Sequence, residues 1–245
     1  MEFFCLLNII IFFRLFFLFR DKPVSLKSAL FLTILQVIPL LVFYINPSVI
    51  VFAVILLLIN LSLFYFEKSG NINFYRFISF LFLIIAGSIL SSGYFSLEFN
   101  KSITEYLAKP GIFIPSFLNN VEVDFNKVNI IIFGYLVLLN EINFLVRYFF
   151  EFLKLYPVNT SENKTIDENE YNAGRVIGML ERTLIFTLIL AGEITVIGFI
   201  IAAKGFTRFK ELDKRDFAEY VLIGTLLSSF LALIISFLIK SILTL

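Results

Sequence analysis

Six long apolar runs constrain this chain more than any other feature of its sequence. They cover residues 3–19, 28–44, 48–66, 74–95, 130–153 and 219–239. A run of about 20 apolar residues has the length of a helix that crosses the roughly 30 Å hydrocarbon core of a bilayer. In that core a helix satisfies all of its backbone polar groups without water. The sequence therefore predicts an all-α, polytopic transmembrane helix bundle.

The composition leaves no room for a separate soluble domain. Only 16% of the residues are charged, against about 25% in soluble proteins. We therefore expect a single transmembrane domain over residues 1–245. Its expected parts are a four-helix N-terminal part (1–95), an extracytoplasmic loop (96–129), a fifth helix (130–153), a polar linker (154–172) and a C-terminal part (173–245) with a broken hairpin, a basic loop and the last helix.

The segment 173–203 is too long for one upright span. Its 31 residues would form a helix of about 46 Å at 1.5 Å per residue. A single crossing would also place the basic loop 204–215 outside, against the positive-inside rule. We therefore expect about six full spans plus a broken or re-entrant hairpin that turns at Ala191-Gly192-Glu193; the alternative is one tilted helix.

Basic residues in the connections also predict the orientation. The N-terminus is expected outside, and the loop 204–215 is expected on the cytoplasmic face. That basic face consists of Lys204, Arg208, Lys210, Lys214 and Arg215. Arg14, near the end of the first run, is expected to extend its side chain to the interface.

Several polar residues fall inside the apolar runs of the last half. They are Asn140, Glu141, Arg147, Glu181, Arg182 and Glu193. A charge at membrane depth costs roughly 2.5 kcal/mol or more unless it is paired or hydrated. We expect Arg182 to pair with Glu141, and Arg147 with Glu193 or Glu181. The cluster is either a structural polar staple or a hydrated site for an ion, a proton or a small polar ligand.

Small residues recur every four positions in the last run, at Gly224, Ser228, Ala232 and Ser236. Such stripes let helices approach closely in lipid. We expect this stripe to pack within the chain rather than against a second copy.

Other function classes lack the residues they need. The chain has no histidine and one cysteine, so the usual soft and imidazole metal ligands are missing, and so is a histidine-based catalytic triad. We expect no catalytic residues, no metal, no cofactor and no enzymatic activity. A net charge of +1 gives no electrostatic support for a nucleic-acid partner.

The C-terminal part resembles a known bacterial family of membrane proteins. The matching elements are Gly174-Arg175, Ile177-Gly178, Leu180-Glu181-Arg182, Ala202-Ala203-Lys204, Arg208-Phe209 and the segment from Glu219 to Ser228. Over about residues 173–240 they resemble the family called domain of unknown function 3307. The resemblance implies a protein of a bacterial inner membrane and names no reaction.

Two functional hypotheses follow for this multi-pass protein of the cell membrane. The first is a channel- or transporter-like protein with an intramembrane Glu/Arg polar site. The alternative is a membrane-embedded subunit or effector that recruits a cytoplasmic partner through its basic loop. Besides the lipid bilayer, the expected partners are a second copy of the chain or a larger membrane complex.

Overall fold

The computed structural model describes residues 2–92, 100, 124–154, 168–207 and 215–244, and this part of the chain is helical with no strand. In chain order the elements are α1 (Glu2–Arg14), a 3-10 helix (Leu15–Phe17), α2 (Leu26–Val37), a second 3-10 helix (Ile38–Val42), α3 (Pro47–Phe66), α4 (Ile72–Leu90), α5 (Phe125–Leu136), a π-helix (Val137–Glu141), α6 (Ile142–Phe152), α7 (Glu168–Ala191), α8 (Ile194–Thr207) and α9 (Arg215–Thr244). The expected all-α class is confirmed. Most of the expected loop 96–129 and linker 154–172 lies outside the described residues.

Four helices in the described part are long and apolar enough to cross a membrane. They are Pro47–Phe66, Ile72–Leu90, Phe125–Phe152 and Ala218–Thr244. The first two apolar runs form the shorter helices Phe3–Phe17 and Leu26–Val42. Each of these passes from an α-helix into a 3-10 turn, the second next to Pro39, whose missing N–H ends the α-helical ladder. The helices are compatible with a multi-pass membrane protein, and length alone supports four spans rather than six.

The chain forms two compact units, Met1–Phe133 and Gly134–Leu245. In the first unit α2 packs on α3, α3 on α4, and α1 on both α2 and α4. Leu6, Ile10, Phe52 and Leu56 lie fully buried in its core. Asn46 starts α3 by accepting a hydrogen bond from the Val49 N–H at 2.9 Å, as expected of an N-cap.

In the second unit α7 is the central helix and packs on α9, the π-helix and α8. The Tyr135 hydroxyl and the Thr187 hydroxyl are 2.8 Å apart. Near the end of α7 the Lys240 ammonium donates to the Ile189 carbonyl at 2.7 Å. A cation at this position satisfies a carbonyl of the last helical turn and interacts favourably with the helix dipole.

The small-residue stripe of α9 packs within this unit, as expected. Ala232 and Ser236 are fully buried. Gly224 lies against the ring of Phe150, and a side chain at that position would collide with the ring. Ser228 contacts Arg182. The stripe therefore serves the internal contacts of α9 with α6 and α7.

The break in the long apolar segment lies where the sequence predicts it. Helix α7 ends at Ala191, Gly192 has a φ of +86°, and α8 begins at Ile194. A positive φ favours glycine because it has no Cβ. Helix α8 then folds back on α7, so the broken hairpin is confirmed and the single tilted helix is wrong. Whether the hairpin is re-entrant or spanning stays a prediction.

Two arginines of the first unit differ from the sequence-based expectations. Arg14 is fully buried and does not reach towards an interface, because its guanidinium donates to the Arg76 carbonyl at 2.8 Å and to the Ser79 hydroxyl at 3.1 Å. The positive-inside count places Arg76 with Lys68 in the connection before the fourth apolar run, but Arg76 lies inside α4 and is also fully buried. Helix α4 begins at Ile72 because Asn71 caps it.

Candidate functional site

A π-helix occupies the middle of the candidate span Phe125–Phe152. It covers Val137–Glu141 and carries Asn140 and Glu141, both fully buried. A π-helix is a rare, widened turn that occurs frequently at functional sites. The Asn140 amide donates to the Glu141 carboxylate at 2.9 Å. Two of the predicted polar residues therefore meet in an irregular turn near the centre of a span.

Arg182 of α7 reaches this turn. Its side chain is only 2% exposed, its Nε donates to the Leu138 carbonyl at 3.0 Å, and its Nη1 donates to the Ser228 hydroxyl at 3.1 Å. Gly178 makes room for the guanidinium, since a Cβ there would lie 3.3 Å from Nη1. The arginine thus joins the π-helix, α7 and α9.

Two buried nitrogens of this region have no hydrogen-bond acceptor. They are Nη2 of Arg182 and Nδ2 of Asn143, and Asn143 is only 5% exposed. One buried acceptor of the π-helix, the side-chain oxygen of Asn140, also has no donor, while the Asn140 nitrogen bonds to Glu141. A buried donor without an acceptor costs about 1–3 kcal/mol, more if it is charged. Such atoms therefore point to a water, an ion or another molecule that completes the site.

The expected pairing of Arg182 with Glu141 is not the one the structure shows. Two nitrogens of Arg182 are bonded to a backbone carbonyl and a hydroxyl, and the third has no acceptor. Asn140 donates to the Glu141 carboxylate instead. The π-helix turns its own carbonyl towards the guanidinium, which therefore bonds to the backbone.

Glu181 contacts a different helix from its neighbour Arg182. Its carboxylate lies 2.6 Å from the Lys204 ammonium of α8, so it ties the two arms of the hairpin together. Consecutive helical residues point about 100° apart, which explains their separate partners. Lys204, expected on the basic face, is therefore part of this ion pair.

The remaining predicted residues lie apart from the π-helix. Glu193 is exposed at the turn of the hairpin, and Arg147 is partly buried in α6. The expected pairing of Arg147 with Glu193 or Glu181 stays a prediction. Arg208, Lys210 and Lys214 lie outside the described residues, as does the side chain of Arg215.

A buried ion pair in the first unit was not anticipated. Arg76 Nε lies 2.9 Å from a carboxylate oxygen of Glu67, with both side chains fully buried. The other carboxylate oxygen of Glu67 accepts from the Val24 N–H at 2.9 Å. The guanidinium also donates to the carbonyls of Arg20 and of Lys22, the latter at 3.2 Å. The pair therefore ties the connection between α1 and α2 to α4.

The ring of Phe17 completes this cluster. The guanidinium carbon of Arg76 lies 4.9 Å from the ring centroid, and that of Arg14 lies 5.6 Å from it. Cations near an aromatic face are stabilised by the ring quadrupole. Since most of the bonds end on the backbone of the same unit, we interpret the cluster as structural. The capping residue Asn71, which places Arg76 inside a helix, is the sequence signal that could have revealed it.

A second structural network joins α2 and α3. The Asn60 amide donates to the Thr33 hydroxyl at 3.0 Å and to the Gln36 side-chain carbonyl at 2.8 Å. All three side chains are buried. Hydrogen bonds of this kind hold transmembrane helices together.

Comparison with known proteins identifies no relative: no family model, no curated protein and no solved structure matches the chain. The resemblance of residues 173–240 to domain of unknown function 3307 stays an expectation.

Proposed function

We propose that the protein is a channel- or transporter-like membrane protein whose polar site lies at the π-helix of the second unit. The observation that supports this proposal is the pair of buried, unsatisfied donors on Arg182 and Asn143. They lie near the centre of a candidate span, where water and ions are otherwise excluded. The site takes a small polar solute or an ion.

The donors argue against a purely structural staple. A staple stabilises a bundle when its polar groups satisfy one another, as Glu67 and Arg76 do in the first unit. Partly satisfied buried networks are unfavourable. An amide nitrogen without an acceptor also occurs in the structural network of α2 and α3, at Gln36. The π-helix site differs because one of its unsatisfied donors, Arg182 Nη2, is charged, and a charged donor without an acceptor costs more. An additional molecule that binds there explains this donor better than a staple does.

The π-helix supports the same proposal. In membrane transporters, irregular backbone at membrane depth lines cavities and binding sites. Here the π-helix carries Asn140 and Glu141 and packs on α7, the helix of Arg182. An irregular turn next to a polar cluster is frequent at binding sites.

A flux assay in liposomes tests the proposal. The purified full chain is reconstituted and screened with potassium, sodium, protons, chloride, nitrate, acetate and phosphate. We expect Arg182→Gln and Glu141→Gln to reduce the flux of the transported species at least ten-fold. The matched controls are Arg20→Gln and Glu151→Gln. Gel filtration and thermal unfolding identify variants that fold.

Two results would contradict the proposal. One is the absence of flux for every species with wild-type protein that is folded and inserted. The other is unchanged flux in folded Arg182→Gln and Glu141→Gln. The alternative, recruitment of a cytoplasmic partner through the basic loop, depends mainly on residues outside the described part, since Lys204 is bonded to Glu181.

A further inference from the structure

Arg182, on α7, contacts the π-helix in the middle of the candidate span Phe125–Phe152. Among the described residues, no carboxylate is hydrogen-bonded to its guanidinium. Its two bonded acceptors, the Leu138 carbonyl and the Ser228 hydroxyl, are both neutral. Removing a guanidinium from water costs several kcal/mol unless an opposite charge or full hydrogen bonding compensates it. Arg182 meets neither condition. Its acceptors carry no negative charge, and its third nitrogen, Nη2, has no acceptor.

The nearest acidic residues are engaged with other groups. Glu181, its neighbour in sequence, is bonded to Lys204 at 2.6 Å. A carboxylate oxygen of Glu141 accepts from Asn140 at 2.9 Å. Arg76 provides the contrast within the same protein, because its guanidinium bonds directly to a buried carboxylate. The acceptor that Arg182 Nη2 lacks is therefore an oxygen atom that carries negative charge.

Asn143 supplies a second unsatisfied donor. Asn143 lies on α6, five residues after Leu138, and its side-chain Nδ2 is buried without an acceptor. A guanidinium fork and an amide together recognise oxygen atoms that carry negative charge. A metal cation would require several oxygen ligands, whereas the unsatisfied atoms here are two donors and a single acceptor, the Asn140 side-chain oxygen.

We propose that the site binds a small oxygen-bearing anion, which accepts hydrogen bonds from Arg182 Nη2 and Asn143 Nδ2. This inference rests on the proposed function and names the ligand class of the same site. Its depth near the middle of a span indicates a free anion rather than a lipid headgroup, since headgroups lie at the membrane surface. Ser228 and the Leu138 carbonyl hold the guanidinium in place.

Anion-dependent stability tests the inference. The thermal unfolding midpoint of the purified full chain in detergent is measured while acetate, nitrate or inorganic phosphate replaces chloride at constant ionic strength. We expect at least one of these anions to raise the midpoint with saturation. Arg182→Lys keeps the positive charge but removes the planar guanidinium, so it should weaken the apparent affinity for the anion at least ten-fold. Asn143→Leu removes the second donor and should weaken that affinity several-fold. Arg20→Gln is the matched control and should bind as the wild type does.

The inference is overturned if none of the three anions raises the wild-type midpoint. It is also overturned if Asn143→Leu and Arg182→Lys respond to the anion in the same way as Arg20→Gln does. Gel filtration shows whether both variants fold, and the result does not depend on Arg182→Gln. Liposome assays separate the two proposals: anion binding without flux supports the ligand class and contradicts transport. Flux of a cation that depends on Glu141 without any anion effect supports transport and contradicts the ligand class.

Discussion

Arg76 and Arg182 show two ways in which a single residue is accommodated inside an apolar bundle. Arg76 is bonded to the carboxylate of Glu67, to neighbouring backbone carbonyls and to an aromatic face. Arg182 is bonded to two neutral oxygens and keeps one nitrogen without an acceptor. We infer that the first arrangement serves stability and the second serves binding.

Glu67→Gln tests the structural role of the first arrangement. The substitution keeps the shape of the side chain but leaves the Arg76 guanidinium buried without its carboxylate. Breaking a buried pair in this way costs about 3–5 kcal/mol, so we expect a loss of that size in the free energy of unfolding. Unfolding of the purified protein in mixed micelles measures it.

Lys68→Gln is the control for that substitution. Lys68 neighbours Glu67 in sequence, but its side chain is exposed and lies over the Phe64 ring at 3.9 Å. Exposed interactions of this kind contribute about 0.5–1 kcal/mol. Equal losses for the two variants would show that the Glu67–Arg76 pair contributes nothing special.

The residue scale also shows where sequence-based reasoning ends. The rarity of charges in apolar runs singled out Asn140, Glu141 and Arg182, which lie on the π-helix or contact it. It could not supply their partners, because Arg182 bonds to a backbone carbonyl, a group that every residue carries. The expectation for Arg14 fails because its acceptors, on Arg76 and Ser79, lie more than 60 positions away in the sequence. The residues around Arg14 do not indicate them.

At the scale of elements, the hairpin of α7 and α8 was predictable and the π-helix was not. Excess length, a glycine and the basic loop together indicated a turn at Gly192, and the structure has it there. A π-helix depends on one extra residue in a helical turn and leaves no periodic pattern. Its only trace in the sequence was the adjacent pair Asn140 and Glu141.

Gly192→Ala tests the turn. An alanine at a φ of +86° places its Cβ close to the backbone, at a cost of about 1–2 kcal/mol. We expect the free energy of unfolding to fall by that amount. Gly198→Ala is the matched control, because nothing lies within 4 Å of a Cβ built there and it is inside a helix. Alanine should be neutral or slightly stabilising at Gly198.

Equal effects of the two alanine substitutions would contradict this account of the turn. A larger loss for Gly198→Ala would do so as well. Thermal unfolding in one detergent allows the comparison, and circular dichroism shows whether the helix content is retained.

At the scale of the whole molecule, composition sufficed for the fold class but not for the number of spans. Apolar length indicated six runs, whereas four helices of the described part have spanning length. The difference arises in the first two runs, where 3-10 turns shorten the α-helices. Neither turn changes the hydropathy of the sequence, so a hydropathy argument cannot detect it.

The orientation of the molecule in the cell membrane is a prediction with a direct test. The lone Cys5 is replaced by serine, and single cysteines are placed at the N-terminus or at Lys210. By the positive-inside rule, an impermeant thiol reagent added to intact cells should label the N-terminal cysteine. It should label the cysteine at Lys210 only after the membrane is opened. Labelling of Lys210→Cys from outside would contradict the predicted orientation.

The ion pair of the hairpin has a consequence for how the chain enters the membrane during synthesis. Glu181 lies eleven residues before Gly192, and Lys204 lies eleven residues after Glu193, about 17 Å along each arm. A lone charge in an inserting helix costs about 2.5–3.5 kcal/mol, and a bond between the two charges lowers that cost. We therefore expect the two arms of the hairpin to enter the bilayer together, after both have left the ribosome, rather than one after the other.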